Sequence, residues 1–297
     1  MGRNRFLNAV ICVIILTFII TLVSGCSNNE AEESKSGPNN SGTTNSEKSC
    51  IMLGGSGSHL SIIGELSNAF MEQNPAIRLE ITEHLGSAGG INSVNQGLID
   101  IGLVSREFLP EEQTLGLEYI PYAKVLIGFA VNNNVKIENL TEDQLLGIYT
   151  AKITNWKEVG GPDHEIIVLT RELTESSRIV WDRCLNGFKN AGNLPGAILI
   201  RTDQTMNEAI TSIPYSIGWT DMGGLTLEYP ELSMLKINGV SPEYEMVLNG
   251  KYPYAKELAL VTKGKPAGDA LKFIDFIRSS EGTRILTAKG YLAAGQD

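Results

Sequence analysis

From residue 50 onward the chain alternates between two kinds of hydrophobic pattern. CIML is a short apolar run bounded by polar and glycine residues, which predicts a strand. HLSIIGELSNAFMEQN places Leu60, Ile63, Leu66 and Phe70 on one helical face, and Asn74-Pro75 ends it. IRLEITE alternates Ile77, Leu79 and Ile81, the period of a strand. AGGINSVNQGL predicts a glycine-weakened helix, and IDIGLVS and KVLIGFAVN (residues 124–132) predict buried strands. TEDQLLGIYTA opens with Thr141 and Gln144 at capping-box spacing. EIIVLT, SIGWT and ELALVT predict further strands; SRIVWDRCL, DQTMNEAITSI and AGDALKFIDFIRS predict helices. No internal repeat is visible. The alternation predicts an α/β architecture with mostly parallel sheets. The roughly 250 residues involved suffice for one large domain or two smaller ones.

The N-terminus follows a different pattern. MGRNR is a basic head, FLNAVICVIILTFIITLV is apolar, and LVSGC follows directly. This predicts a secretory signal over residues 1–25 ending in a lipobox, with Cys26 lipidated and anchored to the membrane; an uncleaved membrane span is the alternative. Either way the rest of the chain is expected outside the cytoplasm. Residues 26–49 are polar and lack the apolar side chains a core needs, which predicts a flexible tether.

Charge then narrows the function classes. The 297 residues carry a formal net charge of −10, and removing residues 1–25 with Arg3 and Arg5 makes it −12. That balance excludes a nucleic-acid binder, and any bound anion must be held by local groups. Of four cysteines, Cys12 leaves with the signal and Cys26 takes lipid. Cys50 and Cys184 could pair, but they open a strand and lie on a helix in different parts of the chain, and two unpaired buried thiols are favoured over a disulfide.

Three loops share one design, in which a strand ends in glycines and hydroxyl residues and a helix follows. They are GGSGS (54–58), HLGSAGG (84–90) and RELTESSR (171–178). A helix N-terminus exposes unpaired N–H groups and partial positive charge. Glycine allows close backbone approach, and serine adds a donor. At the carboxyl ends of strands in an open sheet, three such loops can converge on one small oxyanion. GGSGS is not a nucleotide loop, since no Lys-Ser or Lys-Thr follows.

These loops, with GSAGGINSVNQGLIDIGLVSREF, NLTEDQLLGIYTAKITNWKEVGGPDHEIIVLTRE, IPYSIGWT and the C-terminal KYPYAKELALVTKG, resemble the phosphate-binding lipoproteins of ABC-type phosphate importers. The resemblance implies a two-lobed periplasmic-binding-protein fold of the second type, with two mixed, mostly parallel sheets flanked by helices and a hinge between the lobes. Lobe I would comprise residues 50–126 and 240–297, and lobe II residues 127–239, with crossings near 126–131 and 258–262. It implies phosphate or a related oxyanion as ligand, an ABC permease as partner, no cofactor and no metal, and a monomer. Carried over residue by residue, the ligand site would include Ser56, Gly57, Ser58, Ser87, Ser105, Arg106, Arg171, Ser176 and Ser177.

Two positions depart from the family pattern. Its last loop usually reads R-E-x-G-S-G-T-R; here Glu175 replaces the ligand-binding serine. His59 stands where a threonine is common. Both are candidate ligand-contacting residues. Glu175 has three readings: a solvent-facing first-turn acid, an acceptor for the proton of a protonated oxyanion, or an internal anion paired with Arg171 or His59. A protonated His59 would offset its charge.

Other chemistries fit less well. His59, His84 and His164 have no metal spacing. No G-x-S-x-G elbow supports a hydrolase, so no enzyme activity is expected. Trp156, Trp181 and Trp219 read as packing residues. Asp100 reads as a strand-start residue tying down a loop. The alternative function is a sensing or adhesion lipoprotein of the same fold with an altered or lost ligand site.

Overall fold

The computed structural model describes residues 49–82, 85–191 and 194–295. The signal segment, Cys26, the tether and His84 lie outside the described residues. In chain order the elements are β1 (Ser49–Gly55), α1 (Leu60–Gln73), β2 (Ile77–Thr82), α2 (Gly86–Gln96), β3 (Ile101–Val104) and β4 (Leu117–Val131). Then come β5 (Asn139–Leu140), α3 (Glu142–Tyr149), β6 (Ile167–Thr170), α4 (Ser176–Cys184), β7 (Ile198–Leu199), α5 (Asp203–Ser212) and β8 (Ser216–Asp221). The chain closes with α6 (Met222–Glu228), β9 (Lys236–Ile237), α7 (Tyr244–Leu248), β10 (Ala255–Lys263), α8 (Gly268–Arg278), α9 (Ser280–Ala288) and β11 (Leu292–Ala293).

The strands run in the order β2-β1-β3-β10-β4-β8-β6-β7, with β11 beside β4. Pairing is parallel at both ends, among β2, β1 and β3 and among β8, β6 and β7. It is antiparallel in the middle, where β10 lies between β3 and β4 and β4 pairs with β8. The two expected sheets therefore share one long strand. Leu117–Leu126 of β4 pair with β10, and Ile127–Val131 pair with β8.

β4 starts seven residues before the predicted Lys124 because it runs through Pro121, which lacks the N–H a ladder needs. The register shifts between Leu258 and Ala259 of β10, where Tyr122 is the extra residue on β4 beside that proline, and the pairing resumes beyond it. Two main cores flank the crossing. One joins Ile51, Leu53, Ile62, Ile63, Leu66 and Phe70 to Leu258, Leu260 and Phe273. The other is aromatic, with Phe129, Tyr149, Trp156, Trp181, Phe188 and Trp219 in contact. All three tryptophans are fully buried, as packing residues are.

Tyr252 and Tyr254 belong to the second core, and Tyr244 packs against it. The segment 240–254, expected with the first lobe, thus packs with the second core. Ile127 N, at the point where β4 turns from β10 to β8, donates to Tyr254 O just before β10.

Local signals act as read. Thr141 and Gln144 form a reciprocal capping box on α3. Asp100 accepts from Met52 N at 2.8 Å, tying the start of β3 to β1. Cys50 and Cys184 are both free; Cys50 is exposed at the start of β1, not buried, and Cys184 is half-buried.

The first loop depends on one close approach. A Cβ at Gly55 would lie 2.1 Å from the Leu103 carbonyl oxygen, inside any real contact. Glycine there lets β1 run against β3 up to the loop that follows. Gly55→Ala is expected to cost roughly 1–3 kcal/mol by overpacking, measured as a lowered urea midpoint. An unchanged midpoint would mean that the two strands separate freely.

Candidate functional site

A cavity of about 300 Å³ lies where four strand-to-helix connections meet. Ser56 and Gly57 come from the loop after β1, and Leu85, Gly86, Ser87 and Ala88 from the start of α2. Arg171, Glu172, Thr174, Glu175 and Ser176 come from the loop between β6 and α4. Arg201, Thr202, Asp203 and Gln204 come from the loop before α5. The first two loops rise from strands of the first core and the third from β6, whose Val168 belongs to the second; the fourth follows β7, which is exposed and pairs with β6.

The fourth loop is absent from the sequence reading. Its helix was predicted, but β7 before it has only two residues and gives no periodic signal. The usable signal was Thr202 with Thr205, which form a capping box.

Arg171 is the central charge. Its Nη1 donates to Asp203 Oδ1 at 2.7 Å, and its Nη2 donates to Arg201 O at 3.3 Å. Both side chains are buried. Burial works against the charge on Arg171, but Glu175 and Asp203 outweigh it and raise its pKa. Burial works against the Asp203 carboxylate too, but Arg171 and Lys256 hold its pKa far below the usual range. Asp203 also accepts from Ser58 Oγ at 3.1 Å. A Cβ on Gly57 would lie 3.1 Å from Asp203 Oδ2, so glycine there lets the first loop lie close to this carboxylate.

Beneath the cavity Lys256, fully buried on β10, donates to Ser58 Oγ and reaches Asp221 Oδ2 at 3.5 Å. Burial opposes its charge, yet Asp203 and Asp221 raise its pKa. Hydroxyls continue the network. Ser105 Oγ donates to Ser56 Oγ at 2.8 Å, Ser105 N donates to Ser87 Oγ at 3.1 Å, and the Ser87 and Ser176 hydroxyls are hydrogen-bonded to each other at 3.0 Å.

Of the candidate residues, Ser56, Gly57, Ser87, Arg171, Glu175 and Ser176 line the cavity. Ser58 and Ser105 lie below it, hydrogen-bonded to groups that do. Ser177 is buried behind Glu175, to which its backbone N donates at 2.9 Å. Arg106 is held away from the cavity: Glu112 takes both its terminal nitrogens, at 2.6 and 2.7 Å, and satisfies its charge. His59 ends the tight turn into α1 and is fully buried against Tyr122, whose hydroxyl lies 2.9 Å from Nδ1. Burial drives its pKa down to about 3, so it is neutral and offsets no charge in the cavity.

Glu175 is the N-cap of α4. Its Oε1 accepts from Ser177 N at 2.9 Å, and its Oε2 accepts from Arg178 N at 3.0 Å and Trp219 Nε1 at 3.4 Å. Arg171 Nη2 is 3.8 Å from Oε1. The carboxylate is neither turned out to solvent nor paired with His59; Arg171 is its neighbouring cation.

Oxyanion chemistry fits this set: hydroxyls, a helix N-terminus and an arginine oriented by its own carboxylate. The match of the PBP superfamily domain to residues 33–281 decides the family. The chain belongs to the PBP superfamily. Its fold is the type 2 PBP-like fold, mixed α/β. It is 26% identical over 290 residues to the phosphate-binding protein PstS of Bacillus subtilis (strain 168), covering 96% of this chain and 94% of the relative. Among solved structures it is similar to a phosphate ABC transporter substrate-binding protein with bound phosphate from Clostridium perfringens. That likeness has 27% identity and a TM-score of 0.76, over 82% of this chain and 99% of the other. PstS from Borrelia burgdorferi is also 27% identical, with a TM-score of 0.54 over 82% and 98%. Among the described residues no group of His, Cys, Asp and Glu could hold a metal, and no helix is long and apolar enough to cross a membrane.

The buried neutral histidine of this PBP-fold chain has a pH signature. Between pH of about 3 and the ordinary histidine value the unfolded chain binds the extra proton. Stability from this group is therefore full above an ordinary histidine pKa of about 6.5 and falls below it by roughly 1.4 kcal/mol per pH unit. His59→Gln should shrink the drop in urea-derived stability between about pH 7 and pH 5 by about 2 kcal/mol. An unchanged drop would place the titrating group elsewhere.

Proposed function

We propose that this chain is an extracytoplasmic solute-binding lipoprotein that captures an inorganic oxyanion, phosphate, for an ABC importer. The cavity carries the reading: four strand-to-helix loops bring hydroxyls, helix N-termini and the oriented guanidinium of Arg171 to one place. Its likeness to a phosphate-binding protein and to a phosphate ABC transporter substrate-binding protein supports phosphate as the ion and an ABC transporter as the setting. Ser56, Ser87, Ser176 and Arg171 supply the ligand's hydrogen bonds, with Gly57 allowing close approach. Ser58, Ser105 and Ser177 act behind them. Capture is non-covalent, and the protein catalyses no reaction.

Desolvating an oxyanion is costly, so the protein must replace its water with fixed donors. Arg171 does this with a planar fork already oriented by Asp203, so little side-chain freedom is lost on binding. Lobe II runs from 127 to about 254, between the two crossings, and the lobes hinge at β4 and the start of β10. The lipid on Cys26 holds the protein at the membrane, and residues 26–49 give it reach to a permease. It acts as a monomer.

Calorimetric titration with phosphate, sulfate and arsenate tests the ligand, and phosphate uptake in a deletion strain tests the transport role. Arg171→Met should weaken phosphate binding by roughly a hundredfold or more, since it removes the site's oriented cation and leaves Asp203 buried without it. Phosphate binding that survives Arg171→Met would overturn this placement of the ligand.

A further inference from the structure

Glu175 has no role in the capture described above, yet its carboxylate sits in the cavity wall on donors that suit an anion. Its carboxylate takes the backbone N–H groups of Ser177 and Arg178 at the start of α4, together with the indole N–H of Trp219. Arg171 stands 3.8 Å away. These are the groups an incoming oxyanion would use at this wall. The glutamate side chain is only 13% exposed, so it lies in the wall rather than reaching past it into solvent.

The seat is imperfectly filled. Arg171 Nε and Ser177 Oγ have no hydrogen-bond partner, although Arg171 is 6% exposed and Ser177 1%. An unsatisfied buried polar group costs roughly 1–3 kcal/mol. A carboxylate offers two oxygens, and both are already committed to α4 and Trp219. A tetrahedral oxyanion offers four, enough to take over the same donors and reach groups the carboxylate leaves unmet.

We infer that Glu175 is an internal stand-in for the ligand, and that phosphate binds by displacing its carboxylate from the N-terminus of α4. Glu175 thereby sets affinity. This rests on the phosphate reading above and adds a competition to it. Two negative groups cannot share these amides, since like charges at about 4 Å repel by several kcal/mol at a protein surface. The displaced side chain swings toward the open side of the cavity beside Thr174, which is exposed. The N-terminus of α4 is satisfied in either state, by the glutamate when empty and by the ligand when filled. A cap of this kind keeps the empty site folded, and the cost of moving it subtracts from binding.

The test compares the full-length chain with Glu175→Ser and Glu175→Gln. Serine retains an N-capping oxygen, so α4 keeps a cap while the charge and the bulk leave the seat. Glutamine keeps the shape and removes the charge. Calorimetric titration with phosphate should show Glu175→Ser binding roughly tenfold tighter or more than the unmodified chain, with Glu175→Gln tighter as well. Thermal unfolding of the ligand-free proteins checks that each variant folds. Phosphate binding by all three proteins with equal or weaker affinity in the variants overturns this inference alone. If no protein binds phosphate, the phosphate reading falls and this inference with it. Binding by the variants and not by the unmodified chain supports it in its strongest form.

Discussion

The cavity depends on the buried pairing of Arg171 with Asp203. A lone guanidinium at this depth would be strongly disfavoured, and so would a lone carboxylate. Joined at 2.7 Å they satisfy each other, and the pair connects the loop after β6 to the start of α5. The pairing also fixes which face of the guanidinium remains for a ligand. Because Asp203 further accepts from Ser58, the same carboxylate ties the first-core loop to the second-core loops. The walls of the cavity are thus held by charge at the point where the two cores meet.

Lys256 extends this logic to the crossing. It lies at the start of β10 and is fully buried. Its ammonium contacts Ser58 from one side and Asp221, the cap of α6, from the other. A movement of one core against the other has to stretch this network and the Ser87–Ser176 hydroxyl contact. Breaking a buried charge pair is costly, so this network resists movement of one core against the other.

Much of the fold was legible because it rests on local rules. Helical spacing at Leu60, Ile63, Leu66 and Phe70 and the capping residues of α3 act within a few positions of themselves. What was not legible depends on distant partners. The N-terminal half of β4 runs through Pro121, where the register with β10 shifts past Tyr122. Tyr252 and Tyr254 follow the second aromatic core across the crossing, which no local pattern announces. In the site, the strand-to-helix loops with Arg171, Ser56, Ser87 and Ser176 were readable from glycine and hydroxyl placement. Asp203 was not, because an acid at the start of a helix reads as an ordinary dipole partner. Arg106 read as a ligand group, but its charge is spent on Glu112, six residues on. His59 read as a charge in the cavity, whereas its turn carries it into the core beside Tyr122.

Charge bookkeeping around the cavity favours short-range capture over long-range attraction. The chain outside its first 25 residues is strongly acidic, and the cavity wall itself holds Glu172, Glu175 and Asp203 against Arg171 and Arg201. With Asp203 committed to Arg171, the field at the mouth does not draw anions from a distance. Holding an oxyanion there requires amides and hydroxyls already in position, since these donors bring no countercharge. The hydroxyl chain through Ser56, Ser105, Ser87 and Ser176 meets that requirement, because each member is already held by its neighbour. Arg201, exposed at the rim with its carbonyl engaged by Arg171, adds positive charge on the entry side, where screening by salt limits it to close range.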